Sequence, residues 1–101
     1  MVDNFTKCIS IELTLEYRDE IRINAIAPGS FIGEQNRNLL HNEDGFLTQR
    51  GNTFVSQTPM ERFGKAEELQ GVDLWLAGDF SSFVTGIIIP VDGGFSAFSG
   101  V

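Results

Sequence analysis

The sequence is poor in the residues that disulfides, metal sites and nucleic-acid surfaces require. It contains one cysteine, one histidine and seven Lys and Arg residues against fourteen Asp and Glu residues, which gives a formal net charge of −7. A single cysteine excludes an internal disulfide, so we expect a reducing, cytoplasmic environment, with Cys8 buried as a small apolar residue. Scattered basic residues exclude a phosphate-binding surface for nucleic acid. The lone His41 has no metal-ligand spacing, so no metal site is predicted.

Long apolar runs are missing as well. No stretch approaches the roughly 20 apolar residues that cross a bilayer, and no basic segment precedes an apolar one at the start, so neither a membrane span nor a secretion signal is expected. A chain of 101 residues is one domain at most. These features indicate one cytoplasmic domain that binds neither nucleic acid nor membrane.

The segment Val2–Tyr17 has helical periodicity on two sides. One apolar stripe follows helical spacing and consists of Val2, Phe5, Ile9 and Leu13. Three further apolar residues lie off that stripe, namely Cys8, Ile11 and Leu15. A helix with two apolar faces packs on its own sheet with one and on another surface with the other. We therefore predict a homo-oligomer that associates through Val2–Tyr17.

Residues Ile21–Gly29, IRINAIAPG, predict a strand with period-two alternation in which neither face is wholly polar. This pattern is typical of a parallel strand that is covered on both sides. Pro28 cannot donate to a ladder and ends the strand, and Gly29 lets the chain turn without a Cβ in the way. Because ligands of open α/β sheets bind at the carboxyl ends of the strands, we expect a site there.

A long connection follows, from residue 30 to residue 64. Compact domains rarely contain such connections without a functional reason. Within it we predict a short helix over Glu34–Leu40, a turn over Asn42–Gly45 and a second helical piece over Leu47–Phe54. Its apolar anchors, which a disordered linker would lack, are Phe31, Phe46, Phe54 and Phe63. We interpret 30–64 as a lid over the pocket at the strand ends.

Two further elements complete the fold prediction. A helix is predicted over Lys65–Gly78, with acidic residues in its first turn. Its predicted buried side consists of Ala66, Leu69, Val72, Trp75 and Leu76. The β-branched run Ile87–Val91 predicts a second strand, and Pro90 indicates that this strand lies at a sheet edge. Strand, crossover helix and strand make a parallel pair, so the fold class is α/β.

Two motifs carry a family resemblance. NAIAPG ends the first predicted strand, and TGIIIPVDGG contains the second about sixty residues later. In this order they resemble the short-chain dehydrogenase/reductase family of NAD(P)-dependent oxidoreductases, which act on CH-OH groups. The segments QNRNLL, LTQRG, TPMERFG and GGFSAFSGV resemble its D-mannonate oxidoreductase subgroup. The resemblance implies the C-terminal part of a Rossmann-like, doubly wound parallel sheet, with 1–101 forming a single partial domain.

The residues that this family uses for phosphate binding and proton transfer are missing. The family has a Gly-x-x-x-Gly-x-Gly turn, but Gly29 and Gly33 have no third glycine at that spacing. It also has a Tyr-x-x-x-Lys pair, but Tyr17, the only tyrosine, is followed by Ile21 at the lysine position. By the resemblance, the catalytic lysine falls just before Met1. We therefore expect no catalytic residue, no tight NAD or NADP binding by this chain alone, and no activity in isolation.

The resemblance implies that one wall of the site is present. The residues implied to lie along the nicotinamide of NAD or NADP are Pro28, Gly29, Ser30, Phe31 and Ile32. Family members often have a threonine shortly after Pro-Gly, whereas this chain has Gly33-Glu34. The residues implied to contact the substrate are Gln35, Asn36 and Arg37. An arginine fork suits the carboxylate that a sugar acid presents.

Each of these assignments has a structural alternative. Pro28 and Gly29 would end a strand in any case, and Arg37 would suit a solvated helix face equally well. His41 is interpreted as a surface residue. Asp92-Gly93-Gly94 is typical of a turn, with the Asp92 carboxylate capping local backbone.

Two functions from different classes remain open. The first is the C-terminal part of an NAD(P)-dependent short-chain oxidoreductase that acts on a sugar acid or a related polyol or keto substrate. The second is a non-enzymatic, self-associating α/β interaction module. The missing catalytic residues favour the second function, and the lid favours the first because a module that only packs would not need one.

Overall fold

The computed structural model describes residues 2–33 and 37–99. Its helices are α1 (Val2–Tyr17), α2 (Arg37–Leu40), α3 (Gln49–Ser56), α4 (Gln70–Ala77) and α5 (Phe95–Ser99), and its strands are β1 (Ala25–Pro28) and β2 (Ile88–Val91). Short 3-10 helices cover Arg18–Glu20, Ala66–Leu69 and Asp79–Ser81. The described residues form two compact units. The first comprises the residues up to Ala27 with Gln70–Ile89, and the second comprises Pro28–Leu69 with the residues from Pro90 onwards.

The two strands pair in parallel. The backbone bonds advance together along both strands, from Ala25 N to Ile87 O at 3.0 Å and from Gly29 N to Val91 O at 2.9 Å. This ladder, with helices on either side of it in the sequence, confirms the predicted α/β class. The second strand was predicted over Ile87–Val91 and is found within that range.

The first strand begins at Ala25 rather than at Ile21. Before Ala25 a backbone bond from Gly86 N–H to the Ile23 carbonyl, at 2.8 Å, is supplemented by the Asn24 amide, which donates to the Val84 carbonyl and accepts from the Ile87 N–H, both at 3.1 Å. These bonds hold the chain beside its neighbour without a regular ladder. The predicted start of the strand was therefore wrong, although this stretch does lie beside the second strand.

Strand β1 is also less buried than its sequence predicted. Its first two residues are half-buried, and Ala27 and Pro28 are exposed. The reason is that the sheet has two strands in the part of the chain that the structure describes, so β1 has a neighbour on one side only.

Helix α1, in the first unit, has its predicted bounds, but small polar residues form its buried face. Thr6 is 5 % and Ser10 2 % exposed, and Ser10 Oγ donates to the Lys7 carbonyl at 2.8 Å. A Cβ at Gly86 would lie 2.8 Å from Ser10 Oγ, so serine and glycine together permit the close approach. Cys8 lies away from this face and is exposed, so the prediction that it is buried was wrong.

The opposite face of α1 is apolar and open. Phe5 is 65 %, Ile11 59 % and Leu15 68 % exposed, and Cys8 is exposed beside them. Phe5 was predicted on the other apolar stripe, so its assignment was wrong. Their spacing of three and four residues places them on one side of the helix. We call this set, Phe5, Cys8, Ile11 and Leu15, the outer stripe.

The Arg22 side chain connects residues 76–84 of the first unit by hydrogen bonds. Its guanidinium donates to the carbonyls of Leu76 at 2.9 Å and Val84 at 3.2 Å. It also donates to Ser81 Oγ at 3.2 Å and to the Gly78 carbonyl at 3.4 Å. Because guanidinium is a planar fork with five donors, one side chain can serve all four acceptors.

The predicted helix over Lys65–Gly78 is divided into the 3-10 turn Ala66–Leu69 and helix α4. Ala66 and Trp75 were predicted on the buried side, but Ala66 is exposed and Trp75 is 41 % exposed, so the prediction was wrong for both. Val72 and Leu76 are the half-buried positions of α4, and Trp75 lies beside the face that they define.

The second unit contains the predicted lid helices. Helix α2 covers the described part of the predicted Glu34–Leu40 helix, and residues 34–36 lie outside the described residues. The predicted turn over Asn42–Gly45 is present, with Gly45 N bonded to Asn42 O at 3.0 Å. Helix α3 follows, and Thr48 Oγ1 caps it by accepting from Gly51 N–H at 3.1 Å.

Apolar burial within this chain is small. Among the described residues, Leu40, at 4 % exposure, is the one large apolar side chain that is fully buried. Phe80 and Phe83 are almost completely exposed. Within the same residues, no helix combines the length and apolar character that crossing a membrane requires.

Candidate functional site

The carboxyl ends of β1 and β2 open into a cleft of about 370 Å³ in the second unit, which we call the strand-end cleft. Its lining includes Ser30, Phe31, Thr58, Arg62, Glu68 and Asp92. Two of the residues implied to lie along the nicotinamide, Ser30 and Phe31, therefore line one cavity. Thr58, Arg62 and Glu68 were not predicted, and only the resemblance of TPMERFG to the family pointed to that segment.

Gly29 is explained by the close approach of the two strand ends. Its N–H donates to the Val91 carbonyl at 2.9 Å, and a Cβ at Gly29 would lie 2.7 Å from both Cα and Cβ of Asp92. The absence of a side chain is thus required for backbone pairing. Pro28, which precedes it, is exposed.

The chain after Gly29 is bonded to the segment that contains Gly64. The Ser30 carbonyl accepts from Gly64 N–H at 2.9 Å, and Phe31 pairs with Gly64 as an isolated parallel bridge. A Cβ at Gly64 would collide with the Phe31 ring. Two of the residues implied to lie along the nicotinamide, Gly29 and Ser30, therefore already have backbone groups bonded within the protein.

Asp92 organises the turn after β2, as its interpretation as a turn residue predicted. Its carboxylate accepts from Gly94 N–H at 3.0 Å and from Ser96 N–H at 3.1 Å. The Ser96 hydroxyl, with these backbone donors, holds the pKa of the Asp92 carboxyl below its ordinary value. Asp92 is thus ionised at neutral pH and serves as a local cap.

An exposed ion pair lies at the rim of the strand-end cleft. Arg62 donates to both carboxylate oxygens of Glu68, at 2.8 and 2.9 Å, and Lys65 N–H donates to the same carboxylate at 2.9 Å. These donors, the Arg62 side chain first, lower the pKa of Glu68 to about 2. The pair connects TPMERFG to the following 3-10 turn.

A second, polar cleft of about 690 Å³ lies beside α2, and we call it the lid cleft. Its lining residues are Ile32, Arg37, Asn38, His41, Asn42, Glu43 and Gly45. Arg37 was assigned to the substrate by resemblance, and the structure places it beside His41, which was interpreted as an isolated surface residue. The assigned residues Gln35 and Asn36 lie outside the described residues.

The described residues have groups that fit the nicotinamide of NAD or NADP, but not its pyrophosphate. A pyrophosphate needs free N–H donors, but those at Gly94 and Ser96 are taken by the Asp92 carboxylate, which would also repel phosphate. In contrast, the Ser30 hydroxyl and the Ile32 carbonyl have no partner among the described residues. These groups fit a carboxamide.

Metal binding has no support in this part of the chain. No three His, Cys, Asp or Glu side chains converge among residues 2–33 and 37–99.

Comparison with known proteins supports the same family. A family model described as enoyl-(acyl carrier protein) reductase matches residues 1–96. The uncharacterised oxidoreductase UxuB of Bacillus subtilis is 50 % identical over 101 residues, covering 99 % of this chain and 35 % of that protein. An uncharacterised oxidoreductase of Haemophilus influenzae is 46 % identical over 101 residues, covering 99 % of this chain and 34 % of that protein.

Solved structures show the same relationship. A protein assigned as a D-mannonate oxidoreductase from Haemophilus influenza, with NAD bound, superposes with a TM-score of 0.84 at 46 % identity, covering 99 % of this chain and 35 % of that one. A protein assigned as a 2-deoxy-D-gluconate 3-dehydrogenase from Agrobacterium tumefaciens, with NADP bound, gives a TM-score of 0.77 at 29 % identity, covering 95 % and 36 %.

The parallel strand pair and the strand-end cleft, together with these similarities, define part of a Rossmann-like oxidoreductase. The chain belongs to the short-chain dehydrogenase/reductase family, carries the motifs of its C-terminal part and resembles its D-mannonate oxidoreductase members. It spans about a third of the length of the relatives that it matches.

Proposed function

We propose that this chain forms the C-terminal part of an NAD(P)-dependent oxidoreductase that acts on a sugar acid or a related polyol or keto substrate. The observation that supports this most strongly is the strand-end cleft, where Ser30 and Phe31 from the end of β1 meet Asp92 from the end of β2. This is the edge of an α/β sheet at which ligands bind.

In this proposal each part of the site has a limited role. The Ser30 hydroxyl and the Ile32 carbonyl hold the nicotinamide carboxamide, and Phe31 forms the wall beside it. Arg37 binds the substrate carboxylate. NAD or NADP, when bound, accepts or supplies the hydride. Residues 30–64 act as a lid on a single partial domain, 1–101.

The chain alone is proposed to be inactive and to bind NAD or NADP weakly. It has no Tyr-x-x-x-Lys pair to transfer a proton and no glycine-rich turn to bind the pyrophosphate. Both the proton donor and the phosphate-binding site would have to come from residues other than those of this chain. We place the protein in the cytoplasm, in keeping with its single cysteine.

A chimera tests this proposal. The portion of the 46 % identical Haemophilus protein that this chain matches is replaced by residues 1–101, and NADH formation from D-mannonate is followed at 340 nm. We expect turnover, with the unmodified Haemophilus protein as the reference. A folded chimera that binds NAD but oxidises no sugar acid would overturn the proposal.

The second candidate function, a self-associating interaction module, is favoured by one specific observation. The outer stripe of α1 exposes four apolar residues on one helix face. We propose that α1 packs against α1 of a second copy about a two-fold axis, since a self-complementary face closes most simply in that way. Sedimentation at micromolar concentration would then give a species larger than the 11.2 kDa monomer. A compact monomer would exclude this association.

A further inference from the structure

We propose that the lid cleft binds a polyhydroxy carboxylate, with Arg37 on the carboxylate and with Asn38, His41 and Glu43 on the hydroxyl groups. This inference rests on the proposed function and deepens it, since it adds three specificity-determining residues to Arg37. The volume of the lid cleft, about 690 Å³, falls within the range of roughly 300–1,000 Å³ typical of small-molecule sites.

The helical register brings the cationic and imidazole groups together. Arg37 and His41 are four residues apart, and His41 N–H donates to the Arg37 carbonyl at 2.8 Å, which completes a helical turn. Side chains at this spacing lie on the same face, roughly 5–6 Å apart at Cβ. Both therefore line one wall of the cleft.

The turn after α2 supplies further lining residues. Asn42 N–H donates to the Phe46 carbonyl at 2.8 Å, and His41 pairs with Leu47 as an antiparallel bridge, so the chain folds back on itself. Glu43 and Gly45 of this turn therefore line the same cleft as Arg37. Sequence spacing alone does not show this juxtaposition.

Backbone bonds to buried positions fix this frame. Thr48 N–H donates to the carbonyl of the buried Leu40 at 2.8 Å, and Thr48 Oγ1 donates to the Leu39 carbonyl at 2.6 Å. Gly51 is buried, and a Cβ there would collide with the Leu40 carbonyl. The polar side chains of the lid cleft thus extend from a backbone that these hydrogen bonds hold in place.

The polar side chains of the lid cleft are largely unpaired within the part of the chain that the structure describes. Apart from a contact between the His41 and Phe63 rings, with centroids 6.1 Å apart, the side chains of Arg37, Asn38, His41 and Glu43 have no partner among the described residues. The ring contact orients the imidazole. The donors and acceptors of all four residues are available to a ligand.

The mixture of charges selects the kind of ligand. The Arg37 guanidinium favours a carboxylate, but Glu43 can only accept hydrogen bonds and repels a second anionic group. A small anion would meet both effects and bind weakly. A chain of hydroxyl groups ending in a carboxylate satisfies both residues, while the half-buried Ile32 contacts its C–H face.

The test is an NMR titration of the ¹⁵N-labelled 101-residue chain with three probes. D-Mannonate has the carboxylate and the hydroxyl groups, D-mannitol has only the hydroxyl groups, and acetate has only the carboxylate. We expect D-mannonate to shift the amides of the lid cleft and to bind at least 10-fold more tightly than either of the other probes. Equal binding of acetate and D-mannonate, shifts confined to other residues, or no shift at all would overturn the inference.

Matched variants make the test specific. Arg37→Gln should weaken D-mannonate binding by roughly 10- to 100-fold, as expected for loss of a charged hydrogen-bonded pair, and leave D-mannitol unchanged. Arg50→Gln, an equal charge change on the exposed face of α3, should alter neither. Glu43→Gln should weaken D-mannonate by roughly 3- to 10-fold but leave acetate unchanged or tighter. If the two charge-matched arginine variants behave alike, the cleft is not the site.

The outcomes separate this inference from the proposed function. A chimera that oxidises D-mannonate while Arg37→Gln leaves its binding unaffected would support the function and refute the lid cleft. Binding at the lid cleft in a chimera that forms no NADH would support the cleft and refute the oxidoreductase.

Discussion

Replacing Arg22 tests the account of the first unit most sharply. Four hydrogen bonds from a charged donor would contribute about 1.5–3 kcal/mol each if every acceptor depended on Arg22 alone. However, the Val84 carbonyl also accepts from the Asn24 amide, and Ser81 Oγ, which has one hydrogen to donate, lies 3.1 and 3.2 Å from the Leu76 and Gly78 carbonyls and within reach of the Trp75 carbonyl as well. Losing Arg22 therefore leaves the Val84 carbonyl with a partner, whereas the Ser81 hydroxyl can serve only one of the other carbonyls at a time.

We thus expect Arg22→Met to lower the free energy of unfolding by about 2–3 kcal/mol, well below the sum for four isolated bonds. Methionine has a similar apolar stem, so a cavity adds little to this loss. For a chain of this size the melting temperature should fall by roughly 10–20 °C. Urea denaturation followed by circular dichroism, at one fixed protein concentration, measures the change.

Two further variants make the result interpretable. Arg22→Lys keeps the charge but lacks the planar fork, so it should give an intermediate loss. Arg50→Met removes an exposed arginine of α3 and should change the free energy of unfolding by less than about 0.5 kcal/mol. If Arg22→Met is no more destabilising than Arg50→Met, the network does not stabilise the fold.

Three other predictions concern the remaining parts of the chain. Because the pKa of Glu68 is lowered, its ion pair with Arg62 contributes fully to stability above the ordinary pKa of 4.5, and this contribution is lost as the pH falls towards about 2. A carboxyl NMR titration should show a midpoint near that lower pH, and Arg62→Gln should move the midpoint upwards. A midpoint that Arg62→Gln leaves unmoved would contradict the prediction. Amides of 37–57 should exchange hydrogen faster than those of Ile21–Ala27 in the isolated chain, because short helices open easily; equal protection would count against a lid. Ile11→Glu should dissociate any dimer seen by light scattering, and a dimer indifferent to this change would point to the open strand edge instead.

Periodicity and turn chemistry predicted the main elements. The bounds of α1 followed from apolar spacing over Val2–Tyr17, and β2 was recognisable as a β-branched run between glycine and Asp-Gly-Gly. The buried face of α1 was not predictable, because Thr6 and Ser10 are buried through close backbone approach at Gly86 rather than through apolar character. Hydrophobic patterns do not record such contacts.

The candidate site was predictable only in part. Ser30, Phe31 and Arg37 were found through motif resemblance and do line clefts. His41 and Glu43 were missed because the turn that brings them to Arg37 is fixed by backbone bonds between the ends of the loop. The residue types in this segment, and the spacing of four between Arg37 and His41, do not reveal that the chain folds back on itself after α2.

The central claim, that this chain supplies one wall of an oxidoreductase site but neither its proton donor nor its pyrophosphate site, is tested by one side-by-side measurement. Initial rates of NADH formation from D-mannonate are recorded for the isolated 101-residue chain and for the chimera with the Haemophilus protein. We predict no rate above the blank for the chain and clear turnover for the chimera. Turnover by the isolated chain that is abolished by changing one of its own residues would contradict the account, as would a folded, NAD-binding chimera without activity.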